Sequence, residues 1–144
     1  MIYEAQAPIN LALIKYWGKL SEALQWPTNN SLSITLSKIY SKTQVEFSKS
    51  KNNIVFLNGK KLNETDQQAK KIFGFIQWLK NKKYISEQKL LIRTENNFPD
   101  SCGLASSASG MAALCIAIMA AHSQSSSLNE LDNNGFNLNK LSNL

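Results

Sequence analysis

The sequence predicts an α+β fold, and three patterns predict it. Strand and loop patterns, with period-two alternation at 31–37 and 43–48, come first, one amphipathic helix follows, and a further strand leads into a long apolar helix.

Each element has its own warrant. Ser31-Leu32-Ser33-Ile34-Thr35-Leu36-Ser37 alternates polar and apolar, as does Thr43-Gln44-Val45-Glu46-Phe47-Ser48. Both read as half-buried strands, and Lys38 to Lys42 reads as a short connection making them an antiparallel pair. Asn53 to Leu57 is a strand closing on the tight turn Asn58-Gly59. From Glu64 to Leu79, Ala69, Ile72, Phe73, Ile76 and Leu79 recur at helical spacing, with Phe75 and Trp78 widening the stripe toward the core. Lys89 to Thr94 is a strand running into the Asn96-Asn97-Phe98-Pro99 loop. Gly103 to Ala121 is apolar or small on nearly all sides (Leu104, Ala108, Met111, Leu114, Ile118), which predicts a central buried helix. Ser127 and Glu130 form a capping-box pattern opening a last helix; Asn133-Asn134-Gly135 interrupts it, and Leu138 to Leu144 can resume it.

Composition narrows the function. A chain of 144 residues with 43% hydrophobic content suits one globular domain over residues 1–144. Sixteen Lys+Arg against ten Asp+Glu give +6, which suits an anionic partner: a nucleotide, a phosphorylated metabolite or a nucleic acid. One histidine and two cysteines supply neither a structural zinc site nor a disulfide framework. His122 ends an apolar helix with no motif around it, while Cys102 and Cys115 read as small buried residues of a reducing compartment. The N-terminus shows no signal peptide, and Gly110 to Ala121 is too short to cross a bilayer, so a soluble cytoplasmic protein is expected. No aromatic–basic RNA signature accompanies the charge, so nucleic acid is not the expected partner.

Three segments could carry chemistry. Pro99 to Ala108 places Gly103 and the hydroxyls of Ser106 and Ser107 at the start of the apolar helix. Helix N-termini offer unpaired N–H groups and a positive dipole end that bind phosphate, though an ordinary serine-capped helix reads the same way. It is no Walker A loop, because the Gly-Lys-Ser/Thr ending is absent. Asn10 to Lys19 sets Lys15 in an apolar run, where a lysine is costly unless an anion meets it or it snorkels at a strand end. Pro27-Thr28-Asn29-Asn30-Ser31 is, taken alone, a generic polar turn.

In order, Ala7-Pro8-Ile9-Asn10-Leu11-Ala12-Leu13-Ile14-Lys15-Tyr16-Trp17-Gly18-Lys19, Pro27 to Leu36, and Glu95 to Pro99 with Gly103 to Gly110 resemble the diphosphomevalonate decarboxylase family. That family belongs to the superfamily of galactokinase, homoserine kinase, mevalonate kinase and phosphomevalonate kinase. The resemblance implies an N-terminal α+β domain with a left-handed βαβ crossover, like that of a ribosomal protein, without the C-terminal ferredoxin-like half. It implies ATP- and Mg²⁺-dependent phosphorylation of the 3-hydroxyl of (R)-5-diphosphomevalonate, then loss of phosphate and CO₂ to give isopentenyl diphosphate. A phosphomevalonate decarboxylase, a mevalonate 3-kinase and a non-catalytic nucleotide-binding fragment are the alternatives. A homodimer is implied for the full-length family member.

By the same resemblance Lys15 is the catalytic lysine near the reacting hydroxyl, and Asn10 orients a catalytic arginine. Tyr16, Trp17, Gly18 and Lys19 line the diphosphomevalonate pocket. Pro99, Gly103, Leu104, Ala105, Ser106, Ser107 and Ala108 form the ATP phosphate loop, and no metal ligand is implied within the chain. A family arginine that follows the Leu-Asn-Gly turn is missing, leaving Lys70 as its substitute, and Asp100-Ser101-Cys102 departs from the usual Thr-Ala-Ala. The family's Ala-Arg-x-Gly-Ser-Gly-Ser-Ala segment and catalytic aspartate are also absent. The implied consequences are negligible turnover by these 144 residues and an exposed apolar face where the rest would pack.

Overall fold

The computed structural model describes residues 1–15, 18–21, 26–99, 106–127 and 129–130, with backbone alone at Lys19 and Ser106. The described elements are β1 (Tyr3–Ile14), β2 (Lys19–Ser21), β3 (Trp26–Pro27), β4 (Leu32–Ser48), β5 (Ile54–Leu57), β6 (Lys60–Lys61), α1 (Gln67–Asn81), β7 (Lys89–Asn96) and α2 (Ser106–Ser123). A mixed sheet in the order β1-β4-β7-β5-β6 carries both helices, and β2 pairs with β3 separately. The α+β expectation therefore holds. β5 and β7 are adjacent and parallel with α1 between them in sequence, which makes a βαβ unit.

One expectation fails. Lys38 to Lys42 is no connection, because β4 is one strand of 17 residues, and its two halves pair with β1 and β7 instead of each other. That stretch contains no glycine, proline or Asn-Gly step that would reverse the chain. What interrupts the alternation is a register break: Pro8 faces Tyr40 but Ile9 faces Leu36, so residues 37–39 have no partner on β1. Asn97 holds this bulge: its Nδ2 donates to the Lys38 carbonyl (2.8 Å), and its Oδ1 accepts from the Tyr40 N–H (2.8 Å). Backbone groups that the ladder leaves over are thereby satisfied.

The helices form where their apolar faces dictate, with shifted ends. α1 starts at Gln67 instead of Glu64, because Asn63 and Asp66 close a turn: the Asn63 N–H donates to Asp66 Oδ2 at 2.8 Å and the Asp66 N–H to the Asn63 carbonyl. It runs two residues past Leu79 and ends with Lys83 in the left-handed region (φ 59°), while Tyr84 N–H donates to the Leu79 carbonyl. The Asn58-Gly59 turn is as expected, both residues having positive φ (48° and 79°), which a two-residue hairpin of this type requires. Ser127 Oγ accepts the Glu130 N–H at 3.2 Å, half of the expected capping box; the Glu130 carboxylate bonds the N–H and Oγ of Ser126 instead of closing the reciprocal half. These bonds hold the Glu130 carboxyl below its usual range, chiefly through the Ser126 N–H. The interruption and resumption expected at 133–144 lie outside the described residues.

The core lies between the helices and one sheet face. Val45, Val55, Leu90 and Ile92 project from the strands, meeting Ala69, Ile72, Ile76 and Leu79 of α1 and Leu114, Ala117, Ile118 and Ala121 of α2, all buried. Phe75 and Trp78 are half-buried against this core and stack on each other, as their place in the stripe predicted. Cys115 is free and buried, and burial pushes its thiol up to about 11, so it is inert; Cys102 lies outside the described residues. His122 sits in the last turn of α2, its Nδ1 3.0 Å from the Ile118 carbonyl and its ring edge-on to Phe47. Burial holds its pKa below the usual value.

Beyond the Ile9–Leu36 pair the apolar side chains of the β1/β4 ribbon are exposed. Leu11, Leu13, Ile14, Leu32 and Ile34 are exposed there, Leu13 by 55% and Ile34 by 49%. The register puts Leu11 opposite Ile34, two residues beyond the Ile9–Leu36 pair, so this apolar stripe continues the face that buries Ile9. An apolar face of the expected kind is thus present among the described residues.

Candidate phosphate and substrate site

Strand register directs the described parts of the three candidate segments toward the same end of the sheet. Ser41 of β4 pairs with Asn96 at the end of β7, and β1 runs antiparallel to β4, so Ile14 and Lys15 also lie toward that end. α2 follows β7 and α1 follows β5, and these two strands are parallel, so both helices start there too. Leu32 lies nine residues beyond Ser41 on β4, roughly 30 Å at strand rise, so the ribbon must bend for its tip to meet the helix starts. The register break at 37–39, clamped by Asn97, is the irregularity in the ribbon at which such a bend could be taken up.

At the ribbon's tip the second and third segments join. Thr28 N–H and Oγ1 both donate to the Gly18 carbonyl (3.1 and 3.2 Å), and Asn29 Nδ2 reaches the Lys15 carbonyl at 3.5 Å. A Cβ on Gly18 would lie 3.0 Å from both Thr28 Cγ2 and Oγ1, so the glycine is what lets the turn close onto this strand. The polar turn Pro27–Ser31 therefore has a structural task, binding the backbone carbonyls of Lys15 and Gly18. Sequence reasoning left it generic because its partner is ten and more residues away.

The individual candidates are placed as follows. Lys15 is exposed just past the end of β1, outside the apolar strand in which the sequence seemed to set it. Its ammonium avoids the burial cost that made it suspicious, and it is open to an anionic ligand. Asn10 Oδ1 accepts from Thr35 Oγ1 (2.8 Å) across the β1/β4 ladder. Tyr16 and Trp17 lie outside the described residues, and Lys19 contributes backbone to β2. Lys70 is exposed in the first turn of α1, at the same end of the domain. Pro99 is exposed after β7; Gly103, Leu104 and Ala105 lie outside the described residues. α2 begins at Ser106, Ser107 and Ala108 are exposed, and its first turn holds no acidic residue. Such a helix start is suited to phosphate.

Arginine is scarce. The 144 residues contain one, Arg93, whose Nη1 donates to Glu46 Oε1 at 2.7 Å on the sheet face away from the buried Leu90 and Ile92. Beside it Lys42 and Glu95 pair at 2.6 Å, and this partner raises the lysine's pKa. Positive charge for phosphates at the candidate end thus falls to lysines. Among the described residues no group of three His, Cys, Asp or Glu could hold a metal ion.

Known proteins match the sequence and fold of this domain. The diphosphomevalonate decarboxylase-like N-terminal domain family matches residues 7–135. Diphosphomevalonate decarboxylase of Candida albicans is 39% identical over 135 residues, 87% of this chain and 37% of that protein. The crystal structure of mevalonate diphosphate decarboxylase from Staphylococcus aureus superposes with a TM-score of 0.70 at 39% identity, covering 93% of this chain and 40% of that one. The Enterococcus faecalis mevalonate diphosphate decarboxylase, described for a mevalonate diphosphate mediated ATP binding mechanism, gives 0.64 at 38% identity over 82% of this chain and 37% of its own. A further solved neighbour is a complex with MVAPP, AMPPCP and magnesium. The chain therefore spans about two-fifths of the length of the relatives it matches. With fold, motif order and sequence in agreement, the chain belongs to the diphosphomevalonate decarboxylase-like family, as an N-terminal portion of it.

Proposed function

We propose that this domain serves the ATP- and Mg²⁺-dependent decarboxylation of (R)-5-diphosphomevalonate to isopentenyl diphosphate, in the cytoplasmic mevalonate route of isoprenoid synthesis. The observation that supports the reading is that strand register directs the end of β1, which leads to Lys15, and the start of α2 toward the same end of the sheet. The α2 start, with Ser106, Ser107 and the preceding Gly103–Ala105, takes the ATP phosphates. Lys15 meets the 3-hydroxyl and the transferring phosphoryl group, and Tyr16, Trp17, Gly18 and Lys19 wall the diphosphomevalonate pocket. Lys70 stands in for the missing diphosphate-binding arginine. ATP supplies the phosphoryl group that turns a tertiary hydroxyl into a leaving group. Lysine charge and magnesium offset the charge that spreads as it transfers. The family-length protein is read as a homodimer with no nucleic-acid or membrane partner. No helix among the described residues is long and apolar enough to cross a membrane.

The pairing of Arg93 with Glu46 favours a second reading for these 144 residues taken alone: a nucleotide-binding unit that does not turn over. No arginine remains to stabilise the transferring phosphoryl group, a contribution on the order of 10³-fold or more where measured in phosphoryl transfer. The test of Lys15 uses an enzyme of full family length carrying this domain. Lys15→Ala should cut the rate of CO₂ and ADP release at least about 100-fold, with its thermal midpoint unchanged. Equal losses of rate and stability would refute the role.

A further inference from the structure

Two hydroxyls are buried together where α2 crosses β4. Ser41 is 0% exposed and Ser109 4%, and their Oγ atoms lie 2.8 Å apart. Ser41 Oγ also lies 2.7 Å from Asn96 Oδ1, an acceptor that takes its single proton. Ser109 must then donate to Ser41, which gives the chain of bonds a direction: Ser109 to Ser41 to Asn96. Asn96 continues it through its own N–H, which donates to Asn58 Oδ1 (3.0 Å) at the β5–β6 turn. One line of hydrogen bonds thus links the first turn of α2, the middle of β4, the end of β7 and a hairpin. Thr43 and Thr94 extend the polar layer one pair further, with Oγ1 atoms 3.0 Å apart.

Stability does not explain this layer. A satisfied buried hydroxyl pair is worth little more than two small apolar side chains in the same space, whereas an unpartnered hydroxyl there costs much more. What the pair adds is direction. Apolar contacts tolerate sliding of a helix over a sheet, while a chain of hydroxyls accepts one height and one rotation. Gly110 lies over the same point of β4, since a Cβ there would meet Ser41 Oγ at 4.0 Å. Ser109 stands two residues beyond Ser107, inside the turn assigned to phosphate.

We propose that Ser41, Ser109 and Asn96 are positioning residues that index the first turn of α2 against β4 and β7, and so aim its N–H groups at the ATP phosphates. The aiming rests on the phosphate-loop reading above; the indexing does not. Ser109 touches no ligand in this scheme, because its hydroxyl is buried against Ser41.

The test takes the chain itself, with Ser41→Ala, Ser109→Ala and the double variant. Amide exchange is read at residues 110–113, whose helical acceptors are the carbonyls of 106–109, and at 116–121 as an internal reference. Each single variant should speed exchange at 110–113 about fivefold, the double variant no more than the worse single, with 116–121 unchanged within about twofold. Uniform acceleration along α2, no acceleration, or additive effects would overturn the indexing. In parallel, the ratio of Mg·ATP affinity to adenosine affinity should fall about fivefold in each variant with adenosine binding unaltered, an outcome that general destabilisation does not give. An unchanged ratio alongside localised exchange would overturn the aiming. A parent chain that does not prefer Mg·ATP over adenosine would refute the phosphate-loop reading instead, and the exchange pattern would still decide the indexing.

Discussion

The two ends of β4 make the instructive comparison. From Ser41 to Ser48 the strand is sandwiched laterally by β1 and β7 and covered by helix, with Ser41, Thr43 and Val45 buried. From Leu32 to Leu36 it has β1 alone for a neighbour, and side chains just as apolar lie open. Composition does not separate the halves; their partners do. The covered half holds the fold together, and the open half pairs with the end of β1 that leads to Lys15 and the Thr28–Gly18 closure. The stabilising part and the part leading to the proposed catalytic lysine therefore lie at opposite ends of one strand, joined at the bulge that Asn97 clamps.

The contrast is broken most directly by truncating one apolar side chain on the strand beside each half. Ile92→Ala, on β7 opposite Val45 of the covered half, should cost about 2–5 kcal/mol in urea unfolding, whereas Leu13→Ala, on β1 beside the open half, should stay within about 0.5 kcal/mol. Similar costs would mean that the ribbon is part of the core after all.

The open stripe has a second consequence. An uncovered patch of Leu11, Leu13, Leu32 and Ile34 should drive self-association of the chain, and Leu13→Gln with Ile34→Gln should shift light-scattering mass toward the monomer. A parent chain that is monomeric at all concentrations would contradict this.

The smallest expected effect is local. Gly18→Ala should displace Thr28 and cost about 1 kcal/mol, and Thr28→Ala in the same chain should recover most of it, because the clash is with the threonine side chain. Additive losses would show that the glycine matters for another reason.

How much of this was legible in the sequence follows from range. The α1 face, the Asn58-Gly59 turn and the β7 strand depend on neighbours a few residues apart, and the sequence displays such patterns openly. The continuity of β4 was hidden because Lys38–Lys42 breaks the alternation as a loop would. Only Asn97, almost sixty residues away, supplies the hydrogen bonds that make it a bulge. The Thr28–Gly18 closure and the Ser41–Ser109 pair were hidden for the same reason: serine and threonine at strand and helix positions read as surface residues until a distant partner buries them. Of the site, the motif segments were readable one by one. Their convergence depended on sheet register, which no local pattern encodes.

The most direct test of the central claim is to give the purified 144-residue chain Mg·ATP and (R)-5-diphosphomevalonate and follow both binding and the release of CO₂ and ADP. A domain that holds a phosphate site but has its one arginine tied to Glu46 should bind Mg·ATP in preference to adenosine and release neither product above background. Sustained release of CO₂ and ADP by the chain alone would contradict the account.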